Sequence, residues 1–148
     1  MVFWKSCLPI ALVLVLTGCF SRGDLPELGQ VTGLVMLDGL PLQDASVEFL
    51  PENKNPSVGV TGSDGRYTLT FHRDANGALL GLHKVRISTF RKSYPDNNGH
   101  RSPSVPERVP AKYNRKTELQ VEVTPGKQQH NFELSSKGLV VQPSNSDG

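Results

Sequence analysis

Cysteine is scarce in this chain of 148 residues and is confined to its beginning. Cys7 and Cys19 are the two cysteines, so residues 20–148 contain no thiol. That stretch has no means of forming a disulfide, holding zinc through cysteine or using a cysteine nucleophile. A domain without thiols is compatible with an oxidising compartment outside the cytoplasm.

Long hydrophobic runs are also lacking. The longest one spans residues 7–16, whereas a helix that crosses a membrane needs about twenty apolar residues. No second run of this kind follows it in the sequence. We therefore expect no permanent transmembrane helix.

Neither sign of charge dominates, and the motifs of several reactive chemistries are missing. Sixteen lysines and arginines face fourteen aspartates and glutamates, and the net charge of +2 argues against a general nucleic-acid binder. The sequence has no Gly-x-Ser-x-Gly elbow. No two histidines have a metal-binding spacing such as His-x-x-x-His. We therefore predict a protein without enzymatic activity, cofactor or bound metal.

One histidine and two aspartates have structural interpretations. His83 alternates onto the same strand face as Val85 and Ile87, which favours a histidine at the edge of the core over a metal ligand. Asp38 and Asp64 each precede a glycine. Aspartate is common in hairpin turns because its side chain binds the nearby backbone. We expect both aspartates to be turn residues and not calcium ligands.

Residues 1–18 have the three parts of a secretory signal. Lys5 provides the positive charge, and residues 7–16 provide the apolar segment. The small residues Thr17 and Gly18 then lead to a cleavage site. This order predicts that the first eighteen residues are removed when the protein is exported.

The four residues Leu16-Thr17-Gly18-Cys19 resemble the lipobox of bacterial lipoproteins. The resemblance implies that a diacylglycerol is attached to the Cys19 sulfur, that the signal is cut before Cys19, and that chains such as palmitate acylate the new amine. In enterobacterial lipoproteins an aspartate after this cysteine favours the inner membrane. Phe20 stands there in this chain, so we expect the outer membrane, facing the periplasm. The alternative is a plain secretory signal in which Cys19 occurs by chance.

Short stretches of alternating polar and apolar residues occupy most of the remaining chain. We predict strands at residues 30–37, 45–50, 57–61, 66–72, 82–90, 117–123 and 130–134. Glycine, proline and aspartate separate them, as in turns. The pattern predicts an all-β fold, a seven-stranded antiparallel sandwich over residues 29–136. Residues 19–28 would form a polar tether before it, and residues 137–148 a disordered tail.

Several short motifs resemble carboxypeptidase regulatory-like domains. They are VTGLV at 31–35, DGLPL at 38–42, ASVEF at 45–49, TGSDGRY at 61–67, GLHKVRI at 81–87 and VPAKYN at 109–114. The last two look like a lipoprotein branch of this family that is common in planctomycete-type bacteria. The resemblance covers about residues 29–136 and implies a transthyretin-like Greek-key sandwich, although Gly62 stands where the family usually has aspartate. It implies no single function, because such domains support peptidases, begin outer-membrane receptors or build surface stalks.

Residues 91–116, which we call the connection, form a segment that is longer than most loops and is rich in positive charge. Its basic residues are Arg91, Lys92, Arg101, Arg108, Lys112, Arg115 and Lys116, against two acidic ones. Tyr94 and Tyr113 have rings that would stack on a ligand. One hypothesis is that the connection binds an anionic partner, such as phospholipid head groups or an acidic glycan. The interpretation that we favour is a solvated, partly ordered loop whose end at Val109 and Pro110 packs back on the sheet.

Together these features predict a non-enzymatic, lipid-anchored protein of the cell envelope whose sandwich domain has a structural or binding role. The alternative is an accessory domain that recruits a separate peptidase or transport complex, through an exposed sheet edge or through the connection. The membrane would be contacted through the lipid on Cys19. A partner protein of the envelope is expected under the alternative, and nucleic acid is not expected as a partner.

Overall fold

The computed structural model describes residues 26–73 and 75–143, and within them the chain forms short β-strands and a single 3-10 turn. The strands are β1 (Leu28–Leu37), β2 (Leu40–Pro41), β3 (Ser46–Pro51), β4 (Ser57–Val60), β5 (Arg66–Thr68), β6 (Thr70–His72), β7 (Ala75–Asn76), β8 (Ala78–Leu79), β9 (Gly81–Ser88), β10 (Gln120–Val123), β11 (Gly126–Gln129) and β12 (Phe132–Leu134). The 3-10 turn is Ala111–Tyr113. The signal, Cys19 and most of the tether lie outside the described residues. Within the described ranges no helix is long and apolar enough to cross a membrane.

The strands form two sheets, which confirms the prediction of an all-β fold. β1 is the middle of the first sheet and has strands along both of its edges. β8, β5 and β2 follow one another along one edge, antiparallel to β1. β11 and β12 lie along the other edge and run parallel to it. The sheet is therefore mixed, which corrects the prediction of antiparallel pairing throughout.

The parallel pairing follows from where the chain crosses between the sheets. β10 ends the second sheet, and the chain then passes beside Gly29 at the start of β1 before β11 begins. A Cβ atom on Gly29 would lie 2.3 Å from Thr124 O, so the close crossing requires glycine there. Because β11 starts at the same end of the sheet as β1, the two strands run in the same direction.

β11 and β12 keep one register against β1 on either side of a break at residues 130–131. Tyr67 Oη donates to His130 O at 2.7 Å, and Leu34 N donates to Asn131 Oδ1 at 3.0 Å. The Tyr67 and Asn131 side chains thereby bond to backbone groups that have no partner in the interrupted strand ladder. Burial raises the pKa of Tyr67, so its phenol remains a donor.

The predicted strand at residues 66–72 divides between the two sheets at Leu69. β5 pairs with β1 in the first sheet, whereas β6 pairs with β4 in the second. At the crossing Leu69 is fully buried and donates its N–H to Val31 O at 3.0 Å. One run of alternating residues therefore joins both layers, and its local periodicity does not reveal the crossing.

The second sheet has the strand order β10-β9-β3-β4-β6-β7 and packs its inner face on the first. The most buried apolar side chains of the core are those of Val31, Val35, Val47, Phe49, Leu69, Val85 and Ile87. Each contributes about 1.5–3 kcal/mol when fully buried. His83 is enclosed with them: its Nε2 donates to Leu79 O at 2.7 Å, and its ring lies 5.8 Å from that of Phe49. Its Nδ1 has no hydrogen-bond partner among the described residues.

Candidate binding groove

The tether joins the sandwich at one end, which we call the tether end. Leu28 begins β1 and lies opposite Leu79 of β8. Leu79 O accepts the hydrogen bond from His83, close to the start of β9. The first residues of β1 and β9 therefore lie together at the tether end.

The opposite end, which we call the far end, is where the connection leaves the sandwich. Val35 lies near the close of β1, and its N–H donates to Gly65 O at 2.9 Å. The turn that contains Gly65 follows Val60, which lies opposite Ser46. Ser46 in turn lies opposite Ser88, the last residue of β9. The connection begins just beyond Ser88 and therefore starts at the end farthest from the tether.

The first half of the connection, residues 91–105, is an ordered two-stranded structure that we call the ribbon. Arg91 and Val105 exchange two backbone hydrogen bonds of 3.0 and 2.9 Å, and a second bridge follows nearer the tip. At the tip the Asp96 carboxylate accepts two backbone N–H groups. Most side chains of the ribbon are exposed, including that of Tyr94 at 53%.

Glu107 fastens the end of the ribbon to the end of β9, and it is only 4% exposed. Its Oε1 accepts the N–H groups of Thr89, Arg108 and Val109 at 2.9–3.0 Å. Its Oε2 accepts the Ser88 hydroxyl. Burial alone would raise the pKa of Glu107, but the bonds from Ser88, Thr89 and Val109 outweigh it and hold the pKa below its usual value. The carboxylate is therefore ionised at neutral pH.

The second half of the connection packs against the sandwich through several buried residues. Val109 is fully buried in the core, and its carbonyl accepts a 2.9 Å bond from Asn114 Nδ2. Ala111 N donates to Leu139 O at 2.8 Å. The interpretation in which the Val109 end packs back on the sheet therefore describes this half, although it does not describe the ribbon.

Residues 137–143 differ from the expected disordered tail because they are bound to the connection. Gln142 Nε2 donates to Glu107 O at 2.9 Å, and Gln142 Oε1 accepts Glu107 N at 2.8 Å. The Gln142 amide thus bonds to Glu107 in the same way as a backbone amide of a paired strand would. Both backbone polar groups of the buried Glu107 are thereby satisfied. Residues 144–148 lie outside the described residues.

The connection and the tail form the walls of a concavity of about 420 Å³ on the outer surface of the second sheet, which we call the sheet-face groove. Its floor consists of Ser46 and Glu48 of β3 with Arg86 and Ser88 of β9. The described residues of its walls are Phe90, which directly precedes the connection, and Lys92, Glu107, Asn114, Arg115, Val141 and Pro143. Its volume falls within the roughly 300–1,000 Å³ of small-molecule sites.

Among the described residues that line the sheet-face groove, cations outnumber anions. Arg86, Lys92 and Arg115 line it together with Glu48 and Glu107. Glu48 accepts a 2.8 Å bond from Arg86 Nε, and Glu107 is enclosed by its own donors. An exposed ion pair contributes only about 0–1 kcal/mol, so Glu48 orients Arg86 more than it stabilises the fold. The described lining of the groove therefore carries more positive than negative side chains.

The structure divides the seven basic residues of the connection among different surfaces. Lys92 and Arg115 line the sheet-face groove. Arg108 lines another concavity together with Asp44. The remaining four, which are exposed and line neither concavity, are Arg91, Arg101, Lys112 and Lys116. Two of the seven predicted residues are therefore brought together in the groove.

The aromatic residue of the groove was not among the predicted ones. Tyr113 is half-buried, accepts the Ser135 N–H at 3.2 Å through its hydroxyl, and has Lys112 Nζ 4.9 Å from its ring centre. Its ring is therefore occupied by the protein itself. Phe90 lines the groove instead. The sequence places Phe90 at the end of a predicted strand. No pattern in the sequence indicates that the connection and the tail pack near Phe90 and form a groove with it.

Both turn aspartates bind the backbone. Asp64 Oδ1 accepts Arg66 N at 3.1 Å, and Asp38 Oδ1 accepts Ser136 N at 3.0 Å. The side-chain and backbone bonds from Ser136 lower the pKa of Asp38. Over residues 26–73 and 75–143, no group of three or more histidine, cysteine, aspartate or glutamate side chains could hold a metal ion.

Comparison with known proteins assigns no family to this chain. No family model matches it, and no curated protein matches it. The crystal structure of a 9R-lipoxygenase from Cyanothece PCC8801 is similar over 82% of this chain at 14% sequence identity, with a TM-score of 0.43. The match spans only 18% of the lipoxygenase chain. A similarity this weak carries no conclusion about fold type or activity.

Proposed function

We propose that this protein is a lipid-anchored, non-enzymatic binding protein of the cell envelope, held at the outer membrane through Cys19 and facing the periplasm. The observation that carries the binding role is the sheet-face groove, where the described lining of one concavity includes three cationic side chains and one aromatic ring. The lipobox ends at Cys19 and the first strand begins at Leu28. A tether of this length spans at most about 30 Å when extended, so the domain would work close to its membrane.

We further propose that the sandwich is of the transthyretin-like, carboxypeptidase regulatory-like type. The motif at 31–35 supplies the middle of β1, and the motif at 61–67 supplies the turn between β4 and β5. Gly65 has a φ of +76° in that turn, as glycine permits. The motifs that carry the resemblance thus lie at turns and core positions, and these support the proposed type without indicating a ligand.

Intact mass and membrane fractionation test the anchor. We expect the native protein to begin at Cys19, to carry acyl mass and to sediment with membranes. Cys19→Ala should lack the acyl mass and leave the membrane fraction. Cys7→Ala is the matched control, because it removes the other cysteine and should leave the mature protein unchanged. An unmodified, soluble chain in all three preparations would show instead a secreted sandwich domain.

The alternative function, an accessory domain that recruits a peptidase or transport complex, is favoured by one sheet edge. β10 pairs only with β9 among the described strands, so its other edge is available for strand addition. Crosslinking in cells from position 122 of β10 tests this function, with position 52 in a turn as control. Recovery of one peptidase or transport component from position 122 alone would support the alternative.

A further inference from the structure

We infer that the free edge of β10 binds an extended segment of a partner protein, with apolar side chains toward the core and basic side chains toward solvent. The inference rests on the alternative function proposed above, strand addition at β10, and names the chemistry of the added strand. Four features carry it: the backbone groups of the edge, its lack of blocking residues, its partly exposed inner face and its acidic outer face.

The backbone groups of Gln120 and Glu122 face away from the sheet. Val85 N donates to Leu119 O at 2.9 Å, so the Leu119 carbonyl faces β9. The backbone groups of successive residues alternate between the two edges of a strand, and β10 keeps a continuous register against β9. Gln120 and Glu122 therefore direct their N–H and C=O groups to the edge with which no described strand pairs.

β10 lacks the features that protect exposed sheet edges from strand addition. Proteins block such edges with lysine, proline, bulges or very short strands. Among the described strands, β11 lies at an edge of the first sheet, contains Lys127 and follows Pro125. β7, at the other edge of the second sheet, has two residues and a register shift beside it. β10 has four residues, none of them lysine or proline, and a continuous register.

The inner face of β10 leaves apolar surface for a partner to cover. Val121 and Leu119 pack against the core but remain partly exposed, whereas Val123 is 2% exposed. Side chains on directly opposite residues of paired strands lie about 4.5–5.5 Å apart. An added strand with apolar residues at its inward positions would therefore remove more of Val121 from water.

The outer face of β10 is acidic. Glu122 and the nearby Glu118 are exposed, and neither forms an ion pair with another described residue. Opposite charges across paired strands stabilise the pairing, and like charges destabilise it. A second copy of this chain would add acidic residues to an acidic edge. Lysine or arginine at the outward positions of a partner strand would match it.

The test measures binding of the peptide Lys-Val-Lys-Val-Lys-Val-Lys to the mature lipidated protein in non-ionic detergent. Paired antiparallel to β10, its valines face the core and its lysines lie opposite Gln120 and Glu122. We expect saturable binding. The peptide Lys-Lys-Lys-Lys-Val-Val-Val has the same composition without the alternation, and it should bind at least about tenfold more weakly.

N-methylated peptides test the backbone pairing. The lysine N–H groups face β10 in the antiparallel arrangement, whereas the valine N–H groups face away from it. Methylation of the inner lysine nitrogens should weaken binding at least about tenfold. Methylation of the valine nitrogens is the matched control and should weaken it less than about twofold.

Protein variants test the place of binding. Glu118→Gln with Glu122→Gln should weaken binding at least about fivefold. The control, Glu52→Gln with Glu133→Gln, removes the same charge from exposed positions outside β10, and it should weaken binding less than about twofold. Gln120→Pro removes one edge N–H and keeps every charge. Proline is tolerated where a strand N–H faces solvent, and we expect a loss of at least about fivefold. Thermal unfolding of each variant verifies the fold.

Several results would overturn the inference. Equal binding of the alternating and block peptides shows attraction by charge in place of an added strand. Equal losses in the two double variants, or no effect of lysine methylation, remove β10 as the site. A dimer of the protein that the alternating peptide dissociates assigns the edge to a second copy. Crosslinking in cells from position 122 tests the recruitment of a peptidase or transport component separately, so either idea can fail alone.

Discussion

The two halves of the connection differ in what holds them. The ribbon is bound mainly through its own backbone bonds and the Asp96 turn at its tip, and most of its side chains are exposed. The second half inserts Val109 into the core and is tied down through Glu107 and Asn114. A long, basic, proline-rich segment can thus contain both a surface excursion and a structural part of the core. Measuring the free energy of unfolding of variants at matched positions in the two halves would confirm or contradict this difference.

The largest effect is expected at Glu107. Glu107→Ala leaves the N–H groups of Thr89 and Val109 buried without their acceptor, so we expect a loss of about 3 kcal/mol in the free energy of unfolding. Chemical denaturation measures it. Asp96→Ala is the control in the ribbon, and it should cost less than about 1 kcal/mol because its donors are exposed. Equal losses at the two positions would contradict the comparison.

Glu107 also predicts how stability depends on pH. Because the folded pKa of Glu107 is lowered, the ionised carboxylate stabilises the fold fully above the unfolded pKa, near the ordinary value of 4.5. This contribution should be lost as the pH falls from there through the lowered folded pKa. Unfolding curves from pH 7 downward measure it, and Glu107→Gln should remove this part of the pH dependence. A variant that kept the native dependence would show that other carboxylates cause it.

Two valines in the connection give the next largest contrast. Val109→Ala opens a cavity in the core, so we expect a loss of about 2 kcal/mol. Val105→Ala makes the same change in a half-exposed position of the ribbon, where we expect less than about 1 kcal/mol. Thermal unfolding of both variants measures the contrast. A larger loss at Val105 would place the ribbon, and not the second half, in the structural core.

Gln142 tests whether the tail belongs to the buried half. Gln142→Ala removes both bonds to the Glu107 backbone, and we expect a loss of about 1–2 kcal/mol with faster hydrogen exchange at the Glu107 amide. Gln129→Ala is the control, since that side chain is exposed and bonds only locally to Asn131. Unchanged exchange at Glu107 would mean that the tail does not hold the connection.

The smallest effect is expected from shortening the ribbon. Replacing residues 94–102 with Asn-Gly, together with Pro103→Thr to supply the N–H that bonds across the turn, closes the two strands with a hairpin turn and keeps both the Arg91–Val105 bridge and the groove residue Lys92. We expect the free energy of unfolding to stay within about 0.5 kcal/mol. Unfolding of the shortened protein would show that the ribbon supports the sandwich.

Two of the residues that line the groove were within reach of sequence reasoning. Lys92 and Arg115 were candidate binding residues because they belong to a segment with a local excess of positive charge. The floor was not predicted, since the outward place of Arg86 on its strand does not show that Glu48 lies beside it. That neighbour is set by the register between β3 and β9. Glu107 was counted as an ordinary loop acid, because its burial depends on donors from Thr89 and Val109 that a sequence does not bring together.

The sequence by itself determined the longer strands of this protein, because alternation and turn residues act over a few neighbouring positions. The strands β2, β7, β8 and β11 lie where no strand was predicted. Val47, Phe49, Val85 and Ile87 lie on the inner faces where their spacing puts them. Only the tertiary structure decided the crossing at Leu69, the parallel course of β11 and β12, and the groove between the connection and the second sheet. These features arise from contacts between residues far apart in the chain. Local periodicity does not encode such contacts, and packing and hydrogen-bond satisfaction select them when the whole chain folds.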